Sequence, residues 1–234
     1  MSTSGTYAFT VTRDDIIGAA LRTLGAFGVA DTIPLADLNN CAQALNLLLK
    51  SMVKKGLPLW CVQTVQTPMV IGQATYIMGP LNTAVNPLRP LRILDAWLRS
   101  PTSNDVSLSI ISRYDYDTLG SKGTAGQPNQ LFYDPQRDNG YITLYNVPNL
   151  TGYTMFSVVQ TQIQDVNIGT DNLDMPQEAY HPLKWMLADE LGLEYASPET
   201  NLKLVALKAK TYMDDLFDFE QEQVSIMFTP NSRG

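Results

Sequence analysis

The apolar residues of this chain change their spacing twice along the sequence. From residue 13 to residue 56 they recur in steps of three and four, which is typical of amphipathic helices. From 58 to 173 the chain is rich in Val, Ile, Thr and aromatic residues separated by turn-forming residues, which is typical of strands. Helical spacing returns after Pro176. We therefore predict an α+β protein in which a β-rich module is inserted between helical segments.

The two N-terminal helices are predicted from their ends and their apolar stripes. Thr12 can cap a helix of residues 13–25, in which Asp14 and Asp15 lie at the positive end. The second helix runs from about Pro34 to Gly56, and its stripe consists of Leu35, Leu38, Ala42, Leu45, Leu49 and Met52. We expect these helices to form an antiparallel pair.

Two further helices are predicted near the C-terminus. The third begins at about Pro176 and ends at Ser197, and the fourth spans about 199–219. Two amphipathic helices at each end of the chain predict a four-helix bundle formed by the N- and C-terminal pairs. The predicted domains are a helical bundle of residues 1–57 and 174–223, a β-rich inserted domain of 58–173, and an extended tail of 224–234.

The middle of the chain is predicted to form an antiparallel sandwich or barrel. Trp60–Thr67 and Met69–Met78 suggest a hairpin around Gly72, and Asp138-Asn139-Gly140 is a strong hairpin turn. Five more strands are predicted at 91–99, 106–111, 131–133, 141–145 and 153–163.

The charge balance argues against nucleic-acid binding. The net charge is −7 and the pI about 4.6, whereas a grip on phosphates needs clustered Lys and Arg. Only 17% of the residues are charged, so we expect much of the surface to face protein.

Cys41 and Cys61 are predicted to be buried thiols. With no signal peptide and no run of membrane-spanning length, we expect a soluble protein folded in the cytoplasm.

The sequence predicts no catalytic residue, no metal ligand set and no cofactor site. The one histidine, His181, has no partners at a metal-ligand or nucleophile spacing, so we interpret it as structural. Adjacent carboxylates such as Asp189-Glu190 point to different sides of a helix and cannot flank one substrate. The glycine-rich loop of residues 120–126 lacks the phosphate-binding spacing.

An aromatic set in the middle module leaves two interpretations open. Because basic residues near it are sparse and alternate strand positions point inward, core or subunit contact is favoured over ligand binding. The set comprises Tyr114, Tyr116, Phe132, Tyr133, Tyr141 and Tyr145.

The fourth helix carries its charges in an order that its dipole disfavours. Lysines occupy the first half, at a cost of roughly 0.3–1 kcal/mol for each misplaced exposed end charge. One interpretation is that the acidic end meets a basic partner surface or lines a channel, and the other is a modest surface penalty. The acidic residues are Asp214, Asp215, Asp218 and Glu220.

The C-terminal tail is apolar and β-prone, with nothing after it to pair with. Such a segment can add a strand or an anchor to another protein, or it can fold onto its own bundle. The residues expected to dock are Val224, Ile226, Met227 and Phe228.

The order of these parts resembles the head-to-tail adaptor family of short-tailed bacteriophages, the tail tubular protein A-like proteins. The resemblance extends over about residues 12–228. It rests on the segments ALRTLG at 20–25, ALNLLL at 44–49, GLPLW at 56–60, GQATY at 72–76, ISRYDY at 111–116, GQP at 126–128 and LKWMLA at 183–188.

The resemblance implies a virion structural protein at the head–tail junction, assembled in the host cytoplasm. It implies a homo-oligomeric ring, usually of twelve copies, that binds beneath the portal protein and continues the DNA channel. The helices would form the ring, the C-terminal tail would reach into the portal, and a tail nozzle or tube component would attach below. DNA would pass without specific binding, and no membrane is involved. The alternatives are a phage-associated cell-wall hydrolase and a carbohydrate-binding tail module.

Overall fold

The computed structural model describes residues 5–55, 59–82, 88–196 and 199–219. The chain divides into two compact units. The helical unit comprises Met1–Leu59 and Gln164–Gly234, and the β-rich unit comprises Trp60–Ile163. The β-rich unit ends at Ile163 rather than at residue 173, because the segment after it bonds to helices: the Val166 amide donates to Asn46 Oδ1 at 3.0 Å.

The predicted helices are present, with shorter bounds. Thr12 caps the first helix as expected, since its hydroxyl accepts from the Asp15 amide and the Asp15 carboxylate accepts in return from the Thr12 amide. The described helices are α1 (Arg13–Thr23), α2 (Leu35–Lys55), α3 (Arg113–Thr118), α4 (Tyr180–Glu190), α5 (Gly192–Tyr195) and α6 (Leu202–Phe219).

The predicted four-helix bundle of N- and C-terminal pairs is wrong. Helix α4 instead occupies the centre of the helical unit and packs against α1, α2 and α6. Its buried residues are spread around the helix, as expected for a helix surrounded by others. With 11 residues, α4 is also much shorter than α2, which has 21 residues, and α6, which has 18.

The β-rich unit contains two four-stranded sheets. The first has the order β1-β10-β3-β4 and the second the order β2-β8-β7-β5, and β6 pairs with β9. The strands are β1 (Val62–Pro68), β2 (Thr75–Met78), β3 (Arg92–Arg99), β4 (Asp105–Ser107), β5 (Ser109–Ile111), β6 (Ala125–Gly126), β7 (Gln130–Pro135), β8 (Gly140–Tyr145), β9 (Val147–Pro148) and β10 (Thr154–Gln160).

Two details of the predicted β module are wrong. The segments around Gly72 turn as expected, but β1 pairs with β10 and β2 with β8, so they belong to different sheets and form no hairpin. The module is not purely antiparallel either, because β5 runs parallel to β7 and β6 parallel to β9. The hairpin predicted at Asp138-Asn139-Gly140 is confirmed as β7–β8.

The two sheets share one hydrophobic core. Val65, Leu98 and Met155 of the first sheet belong to the same buried cluster as Leu131 and Ile142 of the second. The unit is therefore a sandwich of two sheets packed through their inner faces.

Candidate interaction surface

Helix α6 is buried along one side and carries exposed leucines on another. Val205, Ala209 and Leu216 are buried. Leu204 and Leu207 are 47% and 61% exposed. Leu204 and Leu207 are three residues apart and therefore share one face of α6, where they expose apolar surface that another protein could cover.

Two further exposed leucines lie at the junction of α5 and α6. Leu193 is 92% exposed and Leu202 is 39% exposed. Both line a concavity of about 480 Å³, whose rim carries Asp189, Glu190 and Lys203. We refer to the exposed leucines of the α5–α6 region together as the leucine surface, of which Leu202 and Leu204 line different concavities: Leu193, Leu202, Leu204 and Leu207.

The acidic residues predicted to face a partner are partly described. Asp214, Asp215 and Asp218 are exposed on the last turns of α6. Glu220 lies outside the described residues, as do the tail positions expected to dock: Val224, Ile226, Met227 and Phe228.

His181 belongs to an aromatic cluster between α4 and α6. The Trp185 indole N–H donates to His181 Nε2 at 3.2 Å, and the Tyr212 ring meets the imidazole edge to face at 4.6 Å between centroids. Partial desolvation, and then the charges of Lys184 and Lys208, lower the pKa of His181. The imidazole is therefore neutral at pH 7. Its contacts agree with the structural role predicted for it.

A cavity of about 310 Å³ opens beside this cluster. His181, Pro182, Tyr212 and Leu216 line it, and two carboxylates lie among its lining residues, one on the turn before α4 and one on α6. They are Glu178 and Asp215. The sequence predictions included Asp215 as part of an acidic face but did not place it in a cavity.

This cavity was missed because its members are far apart in the sequence. Glu178 and His181 precede Tyr212 and Asp215 by a whole helix and its connection. One local signal was available: His181 and Trp185 are four residues apart, so they share one face of α4.

The aromatic set of the β-rich unit is divided between core and surface. Tyr116 stacks on Phe132 at 5.4 Å, and Arg113 lies over the Phe132 ring while it pairs with Asp134 at 2.6 Å. Tyr114 is 77% exposed. Phe132 is buried, and Tyr133, Tyr141 and Tyr145 are half-buried. The rings thus form no single exposed platform.

The carboxylates with shifted pKa values are poor proton donors. The pKa of Asp105 is lowered by its bond to Arg99, and that of Asp134 by bonds from Gln136 and Arg113. Asp171 accepts two backbone amides, which also lower its pKa. These three groups are ionised at neutral pH and are unsuited to general-acid catalysis.

The described residues contain neither a candidate metal-ligand cluster nor a helix able to span a membrane. They contain no group of three His, Cys, Asp or Glu side chains arranged to hold a metal ion. Within the same residues, none of the helices combines the length and apolarity needed to cross a bilayer. Cys41 and Cys61 are buried and are not joined in a disulfide.

Comparisons with known proteins place the chain in no family. No protein-family model matches the sequence, and no curated protein matches it significantly.

Proposed function

We propose that this chain is a non-enzymatic structural protein of a tailed-phage particle, an adaptor that assembles into a ring at the head–tail junction. The ring docks beneath the portal protein, extends the DNA channel and offers an attachment surface to the tail. It assembles in the host cytoplasm and becomes part of the virion. The leucine surface is the observation that carries the proposal.

The leucine surface supports assembly because its burial is favourable. Fully burying an exposed leucine side chain contributes about 1.5–3 kcal/mol, and the contribution is smaller for Leu202 and Leu204, which are already more than half covered. Four such residues on the α5–α6 region therefore favour contact with another polypeptide. A ring supplies that cover through neighbouring copies, which a monomeric hydrolase does not.

The charge of the chain suits a channel for DNA. Twelve copies would carry on the order of −84 charges, and walls of this sign repel phosphates, so that the genome slides without binding. The exposed acids at the end of α6 contribute to this charge: Asp214, Asp215 and Asp218.

The order of sequence segments supports the same proposal. Those segments resemble the adaptors of short-tailed phages from the first helix to the apolar tail. The docking of the tail into the portal, through Val224, Ile226, Met227 and Phe228, is part of the proposal.

Light scattering of the purified chain, alone and with the portal protein of the same phage, tests the proposal. We expect a complex of ring stoichiometry in the presence of the portal. The double variant Leu204→Gln, Leu207→Gln should reduce assembly, while its monomer should unfold at an unchanged temperature, because both side chains are already exposed.

Leu81→Gln provides the matched control, since Leu81 is 71% exposed but lies in the β-rich unit. It should assemble as the wild type does. A chain that stays monomeric beside the portal would contradict the adaptor proposal.

A further inference from the structure

The cavity between the start of α4 and the end of α6 combines an apolar wall with carboxylates. The rings of Tyr212 and His181 and the side chains of Pro182 and Leu216 line its interior. Glu178 and Asp215 are the two charged groups among its lining residues. We infer that this cavity binds the side chain of an arginine presented by another polypeptide.

The two carboxylates are available to a cation. In the described part of the chain, the carboxylates of Glu178 and Asp215 have no ion pair or hydrogen bond, and both residues are exposed. Other acids of this protein are already paired: Asp105 with Arg99 at 2.7 Å and Asp165 with Lys50 at 2.6 Å. The cavity therefore presents two uncompensated negative charges.

The aromatic wall suits a guanidinium better than an ammonium. Guanidinium is planar and weakly hydrated, stacks on the face of a tyrosine ring, and offers five N–H donors to carboxylates. The Tyr212 ring and the Pro182 and Leu216 side chains can accommodate its three-carbon stem. A lysine side chain would present one compact, strongly hydrated charge to the same surface.

Neighbouring basic groups do not occupy the cavity. His181 is neutral because its Nε2 accepts the Trp185 indole N–H, so its proton resides on Nδ1. Lys184 and Lys208 lie over the Trp185 ring, at 5.1 Å and 5.6 Å from its centroid, and Lys208 also lies 5.8 Å from the centroid of Tyr212, but neither lysine lines the cavity. The charged groups that line the cavity itself are thus both acidic.

This binding site belongs to the single chain and does not require the ring. The inference goes beyond the adaptor proposal, because it specifies a side chain that a partner must present. Arginine binding can be observed even if the chain forms no ring, and it can be absent even if the ring forms.

The only histidine of the chain makes the cavity directly observable by NMR. The imidazole resonances of His181 would be followed in the full-length protein during titration with Nα-acetylarginine methylamide. We expect saturable shifts, and binding at least roughly five-fold weaker for the neutral isostere Nα-acetylcitrulline methylamide, since exposed ion pairs contribute little but measurably. The lysine analogue should bind more weakly than the arginine analogue.

The double variant Glu178→Gln, Asp215→Asn should lose the response to the arginine analogue. The matched control Asp189→Asn, Glu190→Gln removes two exposed carboxylates elsewhere on the same helical unit and should keep it. Equal shifts with arginine and citrulline, a full response in the first double variant, or no saturable shift would each overturn the inference. The citrulline comparison stands even if a variant misfolds.

Discussion

At the scale of the residue, the absence of a side chain at Gly140 leaves the space that the Tyr133 ring occupies. A Cβ at Gly140 would fall on the ring of Tyr133, whose hydroxyl donates to the Pro90 carbonyl at 2.5 Å. Tyr133 and Gly140 lie on adjacent strands of the β7–β8 hairpin. The glycine is therefore required by the tyrosine packed over it.

We expect Gly140→Ala to destabilise the protein by about 1–3 kcal/mol, because the new methyl group forces the Tyr133 ring to move. Urea denaturation followed by circular dichroism measures this change. Gly123→Ala is the control, since a Cβ there meets nothing within 4 Å, and it should leave the free energy of unfolding nearly unchanged. Equal losses in the two variants would show that the ring is not tightly held.

The buried Tyr133 hydroxyl also predicts that the free energy of unfolding depends on pH in the alkaline range. Burial raises the pKa of Tyr133 to about 12, above the value of 10.0 for a free tyrosine. The folded state keeps a proton that the unfolded state loses above pH 10, so the free energy of unfolding should fall as the pH rises from 10 to 12. Tyr133→Phe should show a smaller fall in stability over this range. An identical alkaline profile in both proteins would contradict this assignment.

At the scale of the element, the acidic end of α6 is expected to lower the stability of the helix and to promote portal binding. Charge reversal at this end measures the two effects separately. The triple variant Asp214→Lys, Asp215→Lys, Asp218→Lys places cations near the negative end of the helix, which its dipole favours by about 0.3–1 kcal/mol for each charge in the last turn. We expect the thermal unfolding temperature to be unchanged or raised, and portal binding measured by light scattering to be reduced. Unchanged binding would show that the acids are a surface penalty alone.

Elements with local signals were predicted from the sequence, and their pairing was not. Helix α1 follows from its Thr12 cap and hairpin β7–β8 from the turn residues Asp138 and Asn139, which act within a few residues along the chain. An extended segment such as Val62–Pro68 does not specify its partner, because alternation fixes which face is buried but not which strand lies beside it. The pairing of β1 with β10 depends on contacts across the whole module.

The position of α4 was unpredictable for a related reason. Tyr180, Leu183 and Met186 are buried together with residues on its other faces, so the helix has no single stripe that indicates one partner. The cavity beside it was missed as a consequence, since its aromatic and acidic members come together only through the α4–α6 contact.

At the scale of the whole molecule, the two units differ in how the chain enters them. The β-rich unit is one continuous segment, Trp60–Ile163, with its own buried core. The helical unit is built from two segments, and α4 of the second segment packs on α1 and α2 of the first.

We therefore expect a fragment of residues 60–163 to fold alone and a fragment of residues 164–234 to remain unfolded. Circular dichroism and the dispersion of amide resonances in NMR spectra measure this difference. Mixing the second fragment with residues 1–59 should restore helical signal, because α4 then regains its partners. A folded 164–234 fragment would show that α4 does not need α1 and α2.

The first and last strands of the β-rich unit lie side by side: Val62 is opposite Gln160, and the Thr161 amide donates to the Cys61 carbonyl at 2.8 Å. The chain therefore enters and leaves the β-rich unit at neighbouring positions, as in an inserted domain that can be removed or replaced as a whole. A short linker could close the gap left by its excision, and a foreign domain with equally close termini could be grafted in its place. We therefore expect that exchange of the inserted module leaves the fold of the helical unit intact.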